Sequence, residues 1–324
     1  MAEIKPLITD EVLKEYKDTC IKWEKLFQQL PVRAAGDVLK YFTMVRKLRG
    51  KKRFGSISGK SQYAPFKKKR DSKSEVNIDF REIETFHGNV VDPFSPVDYI
   101  DLPFAYDDPI IGEAIKKGGT TMMVLIQLAI ARGAGIAQAA ITGDRNEDGD
   151  TTEDLCDGVI TIADKEVAAG NISAAKGNYI KFDEKVTNAN AVDIAKEIVF
   201  SSNQFLRRQN SIMLCAPDFV DKYNEAYLLT HAGINYNKQY NQPYVEGSDN
   251  KLTLIALPEM AGLNKAIITN KQNLLCGIYN DTDATSVDVI REGHYDLSFA
   301  SDIWLGFQFH TIDQRRFRYV EFGE

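Results

Sequence analysis

The stretch 108-DPIIGEAIKKGGTTMMVLIQLAIARGAGIAQAAITGDRNEDGDTTEDLCDGVITI-162 decides the fold of this chain. Asp108 is a favourable N-cap, and Pro109 suits the first helical position because its missing N–H has no helical acceptor there. Arg132 is the one charged residue between Gly118 and Thr142. Gly143 is suited to end the helix in a left-handed conformation. The pattern predicts a helix of about 34 residues and about 50 Å, followed by an acidic turn and a short strand.

The composition is that of a soluble globular protein. The chain has 324 residues, of which 44% are hydrophobic and 27% are charged, enough for one large core or two ordinary ones. The longest uncharged apolar run, 120–131, is too short to span a bilayer. The N-terminus lacks an apolar signal core, so we expect a cytosolic product that does not enter a membrane. Four cysteines without a CxxC spacing are expected to be free buried thiols: Cys20, Cys156, Cys215 and Cys276.

The net charge of −6 is unevenly distributed. Residues 46–73 carry twelve Lys or Arg and one Asp, a local charge of +11, so the remaining residues carry −17. Interspersed Gly, Ser and Pro predict an extended, flexible loop. We expect this loop to contact the acidic surface of a neighbouring copy. Nucleic acid is the rival partner, although the acidic body would repel it. The predicted contact residues are Arg46, Lys47, Arg49, Lys51, Lys52, Arg53, Lys60, Lys67, Lys68, Lys69 and Arg70.

Periodicity elsewhere in the chain indicates helices and strands arranged in blocks, which is typical of the α+β class. The predicted helices cover 7–30, 36–48, 189–209 and 218–229. A long surface loop is predicted at 231–248. The predicted strands lie within 76–98, 212–216, 251–257, 265–269, 273–279 and 287–322.

Two motifs resemble ligand sites, and neither is complete. The segment 55-GSISGKS-61 has three residues between its glycine and the GK pair, where a phosphate-binding loop has four, so we expect no nucleotide there. In the loop 144–154, Asp144, Asn146 and Asp148 match calcium-loop positions one, three and five. Position twelve is Leu155 instead of a bidentate Glu. A solvated acidic turn at the helix end is therefore favoured over a weak calcium site.

Catalytic and metal-binding signatures are missing from the sequence. The four histidines have no metal-ligand spacing, and no GxSxG motif occurs. We therefore expect no enzyme, no cofactor and no metal. The histidines are His87, His231, His294 and His310.

The order of these segments resembles the major capsid proteins of tailed bacteriophages, with the Hong Kong 97-type fold. A basic extended loop precedes β structure and a long spine helix, and the likeness covers about 40–322. Beyond the loop, the segments that carry it are 139-AAITGDRNEDG-149, 154-DLCDGVITI-162, 209-QNSIMLCAPDFVDKYNEA-226, 251-KLTLIALPEMAG-262, 265-KAIITNKQNLLCGIYND-281 and 287-VDVIREGHYDLSFASDIWLGFQFHTIDQRRFRYVEF-322.

The resemblance implies a four-part organisation and a structural role. Residues 1–45 would form an N-terminal helical arm, and 46–90 the extended basic loop with its flanking strands. Residues 91–157 plus 286–324 would form a peripheral domain, and 158–285 an axial domain. Pentamers and hexamers would self-assemble into the icosahedral head of a virion, made in the cytoplasm of the bacterial host.

The resemblance also implies partners and leaves alternatives open. A separate scaffolding protein and a portal are expected, with packaged DNA bound non-specifically at the inner face. Some family members crosslink a loop lysine to an asparagine. Because the sequence identifies no acceptor, no crosslink is predicted here. An encapsulin-like compartment with the same fold, which encloses a cargo enzyme, is one alternative. A nucleic-acid-binding module built on 46–73 is the other.

Overall fold

The structure is a computed structural model that describes residues 8–60, 63, 65–69, 75–95, 109–230, 243–279, 287–294 and 296–323. Within these ranges the α-helices are α1 (Asp10–Ala34), α2 (Gly36–Leu39), α3 (Pro109–Thr142), α4 (Val159–Ala168), α5 (Ala191–Phe200), α6 (Gln204–Arg208) and α7 (Pro217–Thr230). The strands are β1 (Thr43–Arg46), β2 (Lys51–Lys60), β3 (Glu75–Glu84), β4 (Phe86–Phe94), β5 (Tyr179–Lys185), β6 (Ser211–Cys215), β7 (Leu252–Ala256), β8 (Lys265–Thr269), β9 (Leu274–Tyr279), β10 (Val287–Arg291), β11 (Leu297–Phe309) and β12 (Phe317–Gly323).

The predicted long helix is confirmed as α3, which has 34 residues. It ends at Gly143, but not through the predicted left-handed cap, because Gly143 is not among the residues with positive φ. The reason is a close approach of backbones. A Cβ at Gly143 would lie 2.4 Å from the carbonyl oxygen of Cys156 and 2.6 Å from that of Ala139. The N–H of Gly158 also donates to the carbonyl of Gly143 at 2.8 Å.

The short strand predicted after the acidic turn is wrong, because this segment forms helix α4. Its β-branched residues favoured a strand, but its buried side chains recur with helical spacing. Val159, Ile160, Ile162 and Ala163 all face the core. Burial along one helical stripe therefore overrides the local preference for β structure.

The second half of α3 is the centre of one core cluster. The stretch Thr121–Thr142 is, by length and composition, long and apolar enough to cross a membrane. The uncharged run 120–131, on which the expectation above rested, is shorter because it excludes Arg132. More than half of the tested window is buried. Met122, Leu125 and Ile126 pack with residues of α1 and the strands β10 and β11 in this cluster. Other parts of the chain therefore cover much of the apolar surface of the helix.

Two five-stranded sheets and one hairpin organise the strands. The first sheet has the order β1-β9-β11-β10. Strand β4 pairs with the edge of β11 opposite to β9, because β4 and β9 each have a residue paired with Trp304 of β11. The second sheet has the order β5-β12-β8-β6-β7, and β2 pairs with β3. The helix predicted over 36–48 is correct for α2 alone, because residues 43–46 pair in parallel with β9.

The sheets do not follow the predicted division between 158–285 and 286–324. Strand β12 belongs to the second sheet, where it pairs with β5 and β8. Strand β9 belongs to the first sheet, where it pairs with β1 and β11. The sequence also gave no sign of β5. The division into peripheral and axial domains remains a prediction, and β9 and β12 each pair with strands across its expected boundary.

Candidate inter-subunit surface

Residues 51–60 of the basic segment, which was expected to be a flexible loop, form one strand of a β-hairpin. Strands β2 and β3 form ten antiparallel pairs, from Lys51 opposite Glu84 to Lys60 opposite Glu75. Ten residues of strand extend about 30 Å. The glycines and serines of β2 suggested flexibility, but β3 supplies the partner backbone and the β-branched and aromatic side chains that stabilise the pair. The hairpin is therefore an ordered arm in its paired part.

The root of the hairpin is fixed to the body by a charged contact. Nη2 of Arg81 donates to Oε1 of Glu166 in α4 at 2.7 Å and to Oε1 of Gln308 in β11 at 2.9 Å. Its Nε donates to the carbonyl of Phe309 at 3.1 Å. One guanidinium thus joins the hairpin, α4 and β11, because its planar fork offers several donors at once.

An apolar contact and a buried hydroxyl complete the root. Ile83 is fully buried against Leu48 and Leu275. The hydroxyl of Thr85 donates to the carbonyl of Leu48 at 3.1 Å and accepts from the N–H of Gly50 at 3.0 Å. These contacts fix the direction in which the hairpin leaves the body.

Beyond the root, one face of the hairpin exposes an apolar stripe. Side chains directly opposite each other share a face. Ile57 lies opposite Ile78, and Phe80 and Val76 lie two positions to either side of Ile78 on the same face. Their exposed fractions are 75% for Ile57, 52% for Ile78, 69% for Phe80 and 66% for Val76. We call these four residues the apolar hairpin face. Exposed apolar patches of this kind mark interaction surfaces.

The charge pattern, on which the predicted contact residues rested, does not indicate this apolar face. The signal was present in β3, where Val76, Ile78 and Phe80 alternate with polar residues. This alternation is typical of a strand with one face directed at a partner.

Near the root, several predicted contact residues are engaged within their own chain. Lys51 pairs with Glu84 at 3.0 Å, which raises the pKa of the lysine through a hydrogen bond. Arg53 pairs with Glu82 at 2.9 Å. The guanidinium of Arg49 lies 5.0 Å from the centre of the Trp304 ring, and Lys52 lies 5.4 Å from that of Phe54. The structure thus brings these four cations together at the root.

The remaining predicted cations lie at the two ends of the segment. Arg46 and Lys47 are exposed before the hairpin. Lys67, Lys68 and Lys69 are exposed at its far end. Arg70 and the side chain of Lys60 lie outside the described part of the chain. Contact of any of these eleven residues with a neighbour stays a prediction.

The polar side chains of the acidic turn after α3 bond to other groups of the same chain. Asp144 accepts from Lys165 at 2.9 Å, and the side-chain oxygen of Asn146 accepts from the N–H of Asp148 at 3.2 Å. Asp154 accepts from Thr151, and this bonding lowers the pKa of the carboxyl. Among the described residues, no group of three or more His, Cys, Asp or Glu side chains could hold a metal ion.

The other sequence candidates are dispersed. Residues 55–60 of the GSISGKS segment lie in β2 and open no helix, unlike a phosphate-binding loop. Nε2 of His87 lies 3.0 Å from Asp302, His310 packs near Phe54, and His231 lies outside the described residues. All four cysteines are free and buried, as expected.

Known structures show the fold of the chain. No family model matches the sequence, and no curated protein matches it. A chain of the satellite phage P4 procapsid, which includes the size determination protein Sid, matches with a TM-score of 0.58 at 13% identity, over 92% of this chain and 91% of that one. A chain from the capsid of a native GTA particle matches with a TM-score of 0.55 at 12% identity, over 90% of this chain and 91% of that one. A chain from Microbacterium phage Oxtober96 matches with a TM-score of 0.51 at 11% identity, over 88% of this chain and 90% of that one. The chain therefore has the fold of tailed-phage capsid proteins, and the expected fold class is confirmed.

Proposed function

We propose that the chain is a major capsid protein that assembles with copies of itself into the icosahedral head shell of a virion. The observation that carries the proposal is a match to capsid chains over about nine tenths of both chains. In this proposal the role is structural and non-enzymatic, the partners are pentamers and hexamers of the same chain, and DNA lies against the inner face without specific binding. A separate scaffolding protein and a portal complete the expected assembly.

The apolar hairpin face supplies a mechanism for the contact between copies. Burying one large apolar side chain fully contributes roughly 1.5–3 kcal/mol, and the cost of association offsets part of that gain. A single hairpin therefore gives a weak contact. A shell repeats the contact around each ring, and multivalency converts weak contacts into a stable particle.

The proposed domains follow the sheets. The first sheet with α3 forms the peripheral domain, and the second sheet with α5 and α7 forms the axial domain. The bounds expected from the resemblance then change at two strands: β9 joins the peripheral domain, and β12 joins the axial domain.

Serine substitutions on the apolar hairpin face test this mechanism. The triple variant Ile57→Ser, Ile78→Ser, Phe80→Ser should lose particle formation, measured by light scattering and negative-stain microscopy with and without scaffolding protein. Its free energy of unfolding should stay within about 1 kcal/mol of the wild type, because these side chains are already exposed. The matched control changes three exposed apolar residues outside the hairpin to Ser: Ile21, Leu229 and Ile290. Normal particles from the hairpin variant would contradict the mechanism.

Nucleic-acid binding is a second candidate, and the far end of the segment favours it. Tyr63 and Phe66 are almost fully exposed beside Lys67, Lys68 and Lys69. Rings that stack on bases and cations that contact phosphates are the elements of single-strand binding. Affinity for DNA that falls steeply with salt, in a chain that forms no particles, would favour this function. An encapsulin-like compartment shares the shell fold, and the material enclosed by purified particles distinguishes it: DNA for a phage head, a cargo enzyme for a compartment.

A further inference from the structure

Two exposed aromatic rings lie beside arginines on helices that pack against the second sheet. Phe200 ends α5 and Phe205 lies in α6, with exposed fractions of 59% and 56%. The guanidinium of Arg207 lies 5.2 Å from the centre of the Phe200 ring, and that of Arg315 lies 5.1 Å from the centre of the Phe205 ring. Since Arg315 belongs to the turn before β12, its contact with Phe205 brings this turn and α6 together.

Two further arginines enlarge this surface. Arg208 follows Arg207 at the end of α6, Arg316 follows Arg315 in the turn, and both are exposed. We call the arginines 207, 208, 315 and 316, with the two rings, the arginine patch. None of the four guanidiniums forms an ion pair with a residue in the part of the chain that the structure describes. The patch therefore presents four cations that need an anionic partner.

The carboxylate nearest in sequence does not neutralise the patch. Oδ1 of Asp313 accepts from the backbone N–H of Arg315 at 3.0 Å, so it is engaged with the main chain of the turn. Residues 204–209 and 313–316 together carry four Arg and one Asp, a local charge of +3. The negative charge of the rest of the body is screened beyond about 8 Å at physiological salt. The local positive charge therefore decides what the patch attracts.

The contacts with the rings leave the guanidiniums able to bind phosphate. A guanidinium that packs against a ring spends none of its five N–H donors on that contact. Its planar fork matches two oxygens of one phosphate group. Arg207 and Arg315 are thus held in place by Phe200 and Phe205, with donors available to an anion.

An acidic segment of another copy fits the patch less well than a nucleic acid. In the acidic turn 144–154, Asp144 pairs with Lys165 at 2.9 Å, and Glu147 pairs with Arg145 at 2.8 Å. Carboxylates that are already paired gain little from new cations. Duplex DNA carries one charge per about 1.7 Å of its axis, so one face of the duplex can meet all four arginines at once.

We propose that the arginine patch contacts the phosphate backbone of the packaged DNA. The inference rests on the proposed function, which gives DNA a place against the shell but names no residues for it. Contacts with phosphate hold a duplex without reading its sequence, as a shell that encloses a whole genome requires. One patch binds weakly in salt, and the many copies of a shell add their contacts along the enclosed DNA.

The salt dependence of DNA binding tests the proposal. The probe is a fluorescent duplex of about 40 base pairs and mixed sequence, and its anisotropy gives the affinity of the unassembled chain between about 50 and 200 mM salt. The variant Arg207→Gln, Arg208→Gln, Arg315→Gln, Arg316→Gln should reduce the slope of log affinity against log salt by about 3.5. Its affinity at the lowest salt concentration should fall on the order of a hundredfold.

Two control variants separate the patch from net charge and from misfolding. Lysine at the same four positions keeps the charge, so most of the salt slope should remain, with some loss of affinity because the forked contact is gone. The variant Lys14→Gln, Lys25→Gln, Lys181→Gln, Lys185→Gln removes four exposed lysines elsewhere and should change the slope by less than about 1. Equal effects of the two glutamine variants would show a response to net charge and contradict the proposal.

Chemical protection locates the contact independently. Phenylglyoxal modifies accessible guanidiniums, and mass spectrometry measures the extent at each arginine. Bound duplex should slow the modification of the four patch arginines several-fold and leave that of Arg53, whose side chain is 79% exposed, unchanged. Protection of Arg53 without protection of the patch would assign the DNA contact to the hairpin and overturn the proposal.

The inference and the proposed function fail in different ways. If the wild-type chain forms particles, an unchanged salt slope in the patch variant overturns the inference and leaves the shell in place. Loss of particles by that variant, with its DNA affinity unchanged, would assign the patch to a contact between copies. Polyglutamate that displaces the duplex at equal charge concentration would favour an acidic protein as the partner. A wild-type chain that forms no particle overturns the proposed function and, with it, packaged DNA as the ligand.

Discussion

Arg81 of β3 donates to Glu166 of α4 at 2.7 Å, and both side chains are largely buried, with exposed fractions of 14% and 19%. This pair joins the projecting hairpin to the body that carries it. Because the same guanidinium also bonds to Gln308 and to the carbonyl of Phe309, it fixes the angle as well as the attachment of the arm. Together with Ile83 and Thr85, Arg81 thus sets the position of the hairpin on the body.

Loss of this pair should cost stability. The substitution Arg81→Met leaves the carboxylate of Glu166 without its cation, and breaking a largely buried pair costs about 3 kcal/mol. The control Arg53→Met removes a pair whose arginine is 79% exposed, and it should cost less than about 1 kcal/mol. Urea unfolding of the unassembled chain measures both values. Equal costs for the two variants would show that the Arg81 contact does not anchor the arm.

The junction between α3 and α4 should not tolerate a methyl group. In Gly143→Ala, the new Cβ would lie 2.4 Å from the carbonyl oxygen of Cys156. We expect a loss of about 2–4 kcal/mol from overpacking and displaced backbone. Gly36→Ala is the matched control, since nothing lies within 4 Å of its Cβ, and it should be neutral or slightly stabilising. Thermal melting compares the two, and a Gly143→Ala protein as stable as the control would contradict the close approach.

Stability should fall steeply at alkaline pH. Burial raises the pKa of Cys20, Cys156 and Cys215 to about 12, and it raises the pKa of Cys276 still further. The folded chain then keeps four protons that the unfolded chain releases above pH ~8.5–9. Fewer protons are bound in the unfolded state, so the free energy of unfolding falls as pH rises.

The slope of this fall gives the test. Each thiol contributes up to ~1.4 kcal/mol per pH unit once the unfolded thiol is ionised. Denaturant titrations between pH 7.5 and 10.5 should show a flat region and then the decline, which a Cys156→Ser variant should reduce. A thiol reagent should react with the native chain no faster than the chain unfolds. Rapid labelling of native thiols at neutral pH would contradict their burial.

Calcium should not stabilise the acidic turn. Asp144 is held by Lys165, and the side-chain oxygen of Asn146 is bonded to the backbone of Asp148. We expect about 1 mM calcium to leave the melting temperature unchanged in the wild type and in Asp144→Asn, Asp148→Asn. A calcium-dependent rise in the wild type that the variant lacks would restore the site.

The elements predicted correctly are those with strong local signals. The helix α3 is indicated by Pro109 at its first position and by its long apolar pattern, and β11 is indicated by the alternation of Ile303, Leu305, Phe307 and Phe309. Residues 159–162 misled the prediction because a short β-branched run fits a strand or a buried helix, and tertiary packing decided between them.

The proposed contact surface depends on residues that are distant in sequence. The strand character of β2 comes from pairing with β3, and the partners of Lys51 and Arg53 are about thirty residues away. The charge pattern indicated a projecting basic segment, but it could not indicate the apolar hairpin face, because that face is defined by the pairing of β2 with β3.

The mass of the species formed by the purified wild-type chain tests the central claim most directly. Sedimentation velocity with electron microscopy, over a range of protein concentrations and with scaffolding protein present, distinguishes the outcomes. The account predicts closed particles of many copies, built from rings in which each hairpin lies on the next subunit. A 36.4 kDa monomer under every one of these conditions would contradict it.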